Sequence, residues 1–337
     1  MNLAFLEPYR GDIRAGLAKA LHGDDATRQM LRYHVGLETA KGQPTDTLGK
    51  LLRPGLLLFV AEELGARREV ALPAAIALEL IHNFSLIHDD IEDEDTRRRG
   101  RATVWSLIGV AKAINAGDLM ITLALLEGSK ASPDVVTCLL DAMRDLVDGQ
   151  SLDLDFESRW ITPPEYRAMI QLKTGALFRC AFELAGIVAD VPSELIKRLA
   201  SFGEELGMAF QVRDDLLGVW GDEDQLGRPA GSDLRKRKKA YPLVATHERA
   251  SDDDRKFVEQ AMKSEPVSDS HIEKILNLMA RLGIRSDGEV RMQAHLQEAV
   301  KQLPYIPFSE DGLQKLGILF EGLTAFMKAP KSEEARG

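Results

Sequence analysis

Apolar residues recur at spacings of three and four over long stretches of this chain, and this helical period constrains the fold more than any other feature. The period holds in five segments, residues 71 to 90, 111 to 130, 135 to 157, 164 to 188 and 193 to 220. Such spacing places apolar side chains on one face of an α-helix. No run of alternating β-branched residues bounded by hairpin turns is present, so we expect few strands or none.

Proline and glycine predict where these helices begin and end. Pro163 and Pro192 precede or open apolar segments, and Gly23 and Gly65 follow others. Several central segments are apolar nearly all round, which is typical of helices inside a bundle. The sequence therefore predicts an all-α, single-domain bundle. We expect the polar residues 328–337 to form a disordered tail.

Charge and composition exclude several classes of protein. The formal net charge of −10 argues against a nucleic-acid binder, which needs a basic face. The two cysteines, Cys138 and Cys180, have no metal-binding or disulfide spacing and suggest buried thiols in a reducing cytoplasm. The N-terminus does not resemble a signal peptide. No window reaches the ~18 uninterrupted apolar residues of a membrane helix, so we expect no stable membrane insertion.

Two acidic motifs end apolar helical segments. Residues 89 to 95 hold six carboxylates in seven positions, and Asp89 and Asp93 are four apart, a like-charge pair that costs ~0.2–0.5 kcal/mol on a helix. Asp214 and Asp215 end a second apolar segment. A solvated acidic turn is the alternative for either motif alone. Facing each other across a bundle, the two would hold divalent cations, and magnesium suits carboxylates together with substrate phosphate oxygens.

Basic residues follow both acidic motifs. Arginines continue from Arg97 to Arg101, and a second basic stretch extends from Arg228 to Lys239. A basic run alone is usually a solvated loop. Arginine and lysine beside cation-binding carboxylates, however, are typical of a polyphosphate site.

In this order and spacing, the motifs resemble those of the trans-type isoprenyl diphosphate synthases, the polyprenyl synthetase family. Residues 89–93 match the first DDxxD motif, and "GKLLRP", "GQSLDLDFE", "LKTGALF" and "FQVRDD" resemble further family motifs. The resemblance implies the isoprenoid synthase fold, about ten or more helices around a deep central cavity, over residues 1–327. It also implies three Mg²⁺ ions, a homodimer and a cytoplasmic enzyme.

The resemblance assigns roles to individual residues. Its catalytic residues would be Asp89, Asp93, Lys173, Thr174, Gln211, Asp214 and Lys238. Its metal ligands would be Asp89, Asp90, Asp93, Asp214 and Asp215. Isopentenyl diphosphate would bind to Lys50, Arg53, His82 and Arg99. Further substrate contacts would come from Arg98, Gln150 and Arg228.

In the family's reaction, an allylic diphosphate loses diphosphate to give a carbocation, the double bond of isopentenyl diphosphate attacks it, and a proton leaves. Fixed positive charges stabilise the departing group, and no nucleophilic side chain is needed. One departure stands out, because the family's second motif usually ends in a third aspartate and this chain has Gly218 there. We expect metal binding to survive, with water filling the gap.

Product length should depend on residues one turn below the first motif. Phe84 and Ser85 lie five and four positions before Asp89, and this pair resembles the geranylgeranyl (C20) diphosphate synthases. Phe84 would be the floor for the growing chain, although an aromatic residue at this spacing is often plain core. A farnesyl (C15) product stays open, because the facing helix around residues 113 to 120 also shapes the floor.

Three alternatives remain. A terpene cyclase also uses acidic magnesium sites, but it has no use for the second diphosphate pocket that Lys50, Arg53, His82 and Arg99 would form. A metal phosphohydrolase is suggested by His88 beside Asp89 but lacks further histidines in suitable segments. A catalytically silent subunit is disfavoured by the intact first motif.

Overall fold

The computed structural model describes residues 3–221, 231–264 and 266–325 and shows an all-α, single-domain bundle, as the periodicity predicts. The helices are α1 (Glu7–Ala20), α2 (Ala26–Val35), α3 (Leu52–Glu63), α4 (Arg68–Glu92), α5 (Val104–Ile108), α6 (Val110–Gly128), α7 (Pro133–Glu157), α8 (Pro163–Ile170), α9 (Ala176–Val188), α10 (Ser193–Trp220), α11 (Ser232–Arg235), α12 (Tyr241–Arg249), α13 (Asp252–Lys263), α14 (Asp269–Arg281), α15 (Ile284–Val300) and α16 (Glu310–Thr324). Single turns of 3₁₀-helix cover Ala4–Leu6 and Leu303–Tyr305, and a π-helical turn covers Gln171–Gly175.

Strands are almost absent, as expected from the sequence. Within the described part of the chain the named strands are β1 (Arg97–Arg98) and β2 (Arg101–Ala102), which form one antiparallel hairpin. This hairpin follows α4 directly and folds the arginine-rich segment back beside the first acidic motif.

Local chemistry sets several helix ends. Thr162 caps α8 in a capping box, and Pro163 occupies the first helical position. Helix α10 begins directly after Pro192. Helices α1 and α3 end shortly before Gly23 and Gly65, which both have positive φ. The helix ends predicted from these prolines and glycines are confirmed.

The core lies between α3, α4, α9 and α10, whose apolar side chains are buried. Helix α4 packs most closely on α6, and α9 on α10. At the second of these contacts, a Cβ on Gly203 would lie 2.6 Å from the carbonyl oxygen of Phe178. Glycine therefore allows the backbones of α9 and α10 to approach closely. This close contact fixes the position of α10, which carries several of the predicted site residues.

One helix among the described residues, α4, is long and apolar enough to cross a membrane by length and composition. In its most apolar window, 67% is buried inside the bundle. A core helix of a helical bundle has these same properties, and α4 packs on α3, α6 and α9.

Candidate active site

The C-terminal ends of α4 and α10 line one cavity of about 1940 Å³. The predicted site residues in its wall are Lys50, Arg53, His82, Asp89, Asp93, Arg98, Arg99, Lys173, Thr174, Gln211, Asp214, Asp215 and Lys238. Four others, Phe84, Ser85, Asp90 and Gln150, are not part of that wall. Arg228 lies outside the described residues.

The first acidic motif occupies the last turn of α4. Burial raises the pKa of Asp89 to about 6, and the charges of Asp93 and Glu92 add to it, while Lys173 and Arg98 oppose it. Burial and the neighbouring carboxylates both oppose the negative charge of Asp89, and a bound cation would relieve the repulsion between the carboxylates.

Two other predicted residues at this end face away from the cavity. Asp90 is 1% exposed and accepts a hydrogen bond from Arg98 Nε at 2.7 Å, while its Oδ2 has no partner. Gln150 Nε2 donates to Glu92 Oε2 at 2.6 Å. In this structure Asp90 therefore orients Arg98. That Asp90 also binds a metal ion is a proposal.

At the end of α10, the two aspartates differ in their surroundings. Asp215 is 2% exposed and accepts hydrogen bonds from Tyr166 Oη at 2.6 Å, Gln211 Nε2 at 2.7 Å and the Tyr241 amide at 2.9 Å. Burial raises the pKa of Asp215 to about 6. Asp214 is more accessible, so it is the better placed of the two to bind a cation. No role was predicted from the sequence for Tyr166 or Tyr241.

Lysine side chains face the cavity between the two acidic ends. Lys173 Nζ contacts Asp153 Oδ2 at 2.6 Å, and Thr174 Oγ1 donates to Gln211 Oε1 at 2.7 Å. Lys173 and Thr174 lie on the π-helical turn, a rare geometry that often marks functional sites. A Cβ on Gly149 would lie only 2.4 Å from the Lys173 amide nitrogen, so α7 packs directly against this turn.

Lys238 also belongs to this group. Burial lowers the pKa of Lys238, but the charges of Asp215, Asp233 and Asp153 outweigh burial and raise it above the ordinary value. The ammonium is therefore charged at neutral pH and available to an anion in the cavity.

A second basic cluster lies in the same cavity wall. Arg53 stacks over the Phe178 ring at 4.8 Å, and burial lowers its pKa to about 10, so it stays charged at neutral pH. Burial and the nearby arginines lower the pKa of His82, so its neutral Nε2 accepts from Arg53 Nη1 at 3.3 Å. A Cβ on Gly49 would lie 2.4 Å from Arg99 Nη1, so Arg99 packs against the loop that carries Lys50.

Sequence reasoning missed the acid beneath this cluster. Glu79 is 7% exposed, accepts from Asn83 Nδ2 at 2.8 Å and interacts electrostatically with Arg53 and Arg99. Glu79 lies on the same face of α4 as His82, which follows it by three residues. This spacing in the sequence could have revealed Glu79.

The space beside Gly218 corrects one expectation. The sequence predicted water where the family's third aspartate is missing. Instead, a Cβ on Gly218 would lie 2.0 Å from Asp233 Oδ2, so the Asp233 carboxylate occupies that space. The side chain that lies beside Gly218 comes from a different element, α11.

The donor set fits a hard divalent cation. Carboxylates converge on the cavity from two helix ends, with Asp89 and Asp93 at the end of α4 and Asp214 at the end of α10. In the described ranges, no three metal-binding side chains are close enough to complete a site alone. Magnesium commonly takes one or two carboxylates and completes its coordination with water and substrate phosphate oxygens. The fit is therefore to a cation that binds together with a polyphosphate.

Fold and site together define an all-α protein with an anion-binding cavity between two acidic helix ends. A family model described as polyprenyl synthetase matches residues 37–279. The chain therefore belongs to the polyprenyl synthetase family, and it is a trans-prenyltransferase.

Relatives and solved structures agree with this family. A (2E,6E)-farnesyl diphosphate synthase of Mycobacterium tuberculosis is 35% identical over 294 residues, 84% of this chain and 81% of the relative. A geranylgeranyl diphosphate synthase of Saccharolobus solfataricus is 33% identical over 276 residues, 79% of this chain and 83% of the relative. The structure of a Streptomyces coelicolor polyprenyl synthetase superposes with a TM-score of 0.86 at 32% identity, covering 96% of this chain and 99% of the other. The predicted isoprenoid synthase fold is confirmed.

Proposed function

We propose that this enzyme condenses isopentenyl diphosphate with an allylic diphosphate (dimethylallyl, geranyl or farnesyl), with Mg²⁺, and releases diphosphate. The observation that carries the proposal is that one cavity is lined by two sets of basic side chains. Lys173 and Lys238 lie near Asp153, whereas Arg53 and Arg99 lie near Glu79. Two diphosphate-bearing substrates need such a pair of groups.

The side chains of this chain supply positioning and electrostatics. Lys173, Lys238 and Arg98 hold positive charge where the diphosphate departs, which lowers the energy of the developing anion. Thr174 Oγ1 donates to Gln211 Oε1 and both residues line the cavity, where their oxygens would stabilise a carbocation. We propose three Mg²⁺ ions, held by Asp89, Asp90, Asp93, Asp214 and Asp215 with substrate oxygens. When bound, the ions neutralise the diphosphate and make it a better leaving group.

The test is a requirement for both substrates. Purified enzyme with magnesium should release inorganic diphosphate only when isopentenyl diphosphate and an allylic diphosphate are both present. Release from the allylic diphosphate alone would favour the terpene cyclase. Release from isopentenyl diphosphate alone would contradict both.

We propose a C20 product, geranylgeranyl diphosphate. Phe84 is 4% exposed and packs edge-on against His88, with ring centroids 5.8 Å apart. Ser85 Oγ donates to the His82 carbonyl at 2.8 Å. The cavity wall nearby includes Leu86, whereas Phe84 and Ser85 are outside it. We propose that the growing tail passes Leu86 and reaches Phe84, which would then limit its length. Farnesyl diphosphate is the second candidate, because a relative at 35% identity carries that name.

Replacing Phe84 with alanine is expected to lengthen the product, because it removes a ring from the proposed path of the tail. Chromatography of the dephosphorylated alcohols measures the change. Phe257→Ala, a phenylalanine on α13 outside the cavity wall, is the matched control and should leave the distribution unchanged. An unchanged distribution for Phe84→Ala would remove Phe84 as the floor.

Cation binding is expected to weaken as the pH falls through about 6. Burial raises the pKa of Asp89 to about 6, and a carboxylate must lose its proton before it binds a cation. The affinity for the cation should be nearly constant above pH 7 and fall by up to ~10-fold per pH unit below the pKa of Asp89. Mn²⁺ titrations at a fixed concentration of inorganic diphosphate, followed by electron paramagnetic resonance between pH 5 and 8, measure the affinity. Asp89→Asn should make the profile shallower, and Asp215, whose pKa burial also raises to about 6, should account for the remaining slope. An equally steep profile in Asp89→Asn and the unaltered protein would contradict the assignment.

We propose a cytoplasmic homodimer. Helices α6 and α7 expose large apolar side chains that suit an interface, namely Val110, Ile114, Leu126, Leu140, Val147 and Leu154. Sedimentation equilibrium should give the mass of two chains, and Val147→Glu should shift it toward one. A monomer at micromolar concentration would contradict the proposal.

A further inference from the structure

The side chain of Lys239 binds the end of helix α7. Its Nζ donates to the carbonyl oxygens of Phe156 and Glu157 at 3.3 Å and to that of Arg159 at 3.0 Å. Phe156 and Glu157 are the last two residues of α7, and the final carbonyls of a helix have no partners within it. A positive charge at this end also interacts favourably with the helix dipole. Lys239 therefore caps α7 from a segment that lies 80 to 83 residues further along the chain.

An aromatic contact joins the same two segments. Trp160 follows the end of α7, and its ring stacks on the His247 ring of α12 with centroids 4.0 Å apart and planes 4° apart. Lys239 Nζ lies 4.9 Å from the centroid of the Trp160 ring, within the ~6 Å of a cation–π contact. On its other side, His247 Nε2 contacts Glu259 Oε1 at 2.8 Å. The end of α7 is therefore bound both to Lys239 and to the helix that follows Lys239.

Helix α7 thereby contacts both segments whose lysines we place beside the departing diphosphate. Asp153, one turn before the end of α7, pairs with Lys173 Nζ at 2.6 Å. Lys238 precedes Lys239 in the chain and lines the same cavity. Because consecutive Cα atoms are held ~3.8 Å apart, an anchored Lys239 limits how far the backbone of Lys238 can move. The distance between the two ammonium groups therefore depends on the contact of Lys239 with α7.

We propose that Lys239 is a positioning residue, which anchors the segment that carries Lys238 to the end of α7 and so places the Lys238 ammonium for the departing diphosphate. The inference rests on the proposed function and adds a residue that was not among the predicted site residues. Three backbone carbonyls occupy the Lys239 ammonium, so Lys239 acts through Lys238 rather than on the substrate.

Amide hydrogen exchange in the metal-free protein tests the anchor itself. Lys239→Met keeps the length of the side chain and removes its donors, so the hydrogen-bonded amides of residues 236–238 should exchange about 10-fold faster. Lys239→Arg keeps the charge and should restore slow exchange. Lys197→Met, at an exposed lysine on α10 outside the cavity wall, is the matched control and should exchange as the unaltered protein does. Equal exchange in Lys239→Met and the unaltered protein would overturn the inference.

Diphosphate release in the presence of both substrates tests the consequence for catalysis. Lys239→Met should lower kcat by about 10-fold, because a displaced ammonium stabilises the departing group less well. The KM for isopentenyl diphosphate should change by less than about twofold, since Arg53 and Arg99 are untouched. Lys239→Arg should recover most of the lost kcat. A lower unfolding temperature with an unchanged kcat would make Lys239 a purely structural residue and overturn the inference.

A double variant tests whether Lys239 acts through Lys238. Lys238→Met removes the ammonium that the anchor positions, so adding Lys239→Met to it should lower kcat by less than about twofold further. If the two losses multiplied instead, Lys239 would act independently of Lys238 and the inference would be wrong. Failure of the proposed function would look different, since the unaltered enzyme would then release no diphosphate from the two substrates, while hydrogen exchange would still report on the anchor.

Discussion

Asp89→Asn is expected to lower kcat by about a thousand-fold, the largest effect of any single substitution in the cavity. Asparagine keeps the shape but removes the negative charge that would hold a cation against the departing diphosphate. Such a cation supplies several kcal/mol of transition-state stabilisation, and each ~1.4 kcal/mol is a factor of ten in rate. Steady-state kinetics with isopentenyl and farnesyl diphosphates measure the loss.

Asp253→Asn provides the control for this experiment. Asp253 is an exposed carboxylate on α13 outside the cavity wall and outside the proposed dimer interface, so its loss should leave kcat unchanged. Excess magnesium should restore part of the activity of Asp89→Asn if the defect lies in cation binding. A kcat within a factor of ten of the unaltered enzyme would show that Asp89 is not a principal ligand.

The second large effect is expected for Lys173→Gln, with a 10²- to 10³-fold lower kcat and a smaller change in KM. Lys173 is fixed on the π-helical turn by Asp153 at 2.6 Å, so its charge faces the cavity before substrate binds. Removing one such preorganised group from a transition state that develops negative charge typically costs that much in rate. Single-turnover kinetics with saturating substrates isolate this step.

Lys130→Gln is the matched control, since Lys130 is an exposed lysine paired with Glu127 outside the cavity wall. If Lys173→Gln raised only the KM for the allylic substrate and left kcat intact, Lys173 would contribute to ground-state binding alone. Its proposed role in the departure of diphosphate would then be wrong.

The fold could be predicted because its determinants are local. Apolar spacing sets the helices, and residues such as Pro163 and Gly65 set their ends within one or two turns. The acidic motifs were also predictable, because Asp89 and Asp214 each end an apolar period. Helix periods, helix ends and acidic motifs can be predicted without knowing which helices contact each other in the fold.

Contacts between distant segments could not be predicted in this way. Nothing near Asp215 in the sequence indicates that Tyr166 donates to it, and nothing near Gly218 indicates that Asp233 fills its space. The same limit applies to the floor of the cavity. Spacing along α4 pointed to Phe84, but the direction in which the cavity extends depends on how α4 packs on α6.

Chain elongation by this enzyme can be measured directly from its products. The purified enzyme is incubated with magnesium, isopentenyl diphosphate and, in separate reactions, dimethylallyl, geranyl or farnesyl diphosphate. The products are dephosphorylated and separated by chromatography. We expect a C20 alcohol, whereas a C15 alcohol would leave chain elongation standing and correct only the length of the product. A hydrocarbon formed from an allylic diphosphate, with no isopentenyl diphosphate consumed, would show that the enzyme does not elongate prenyl chains.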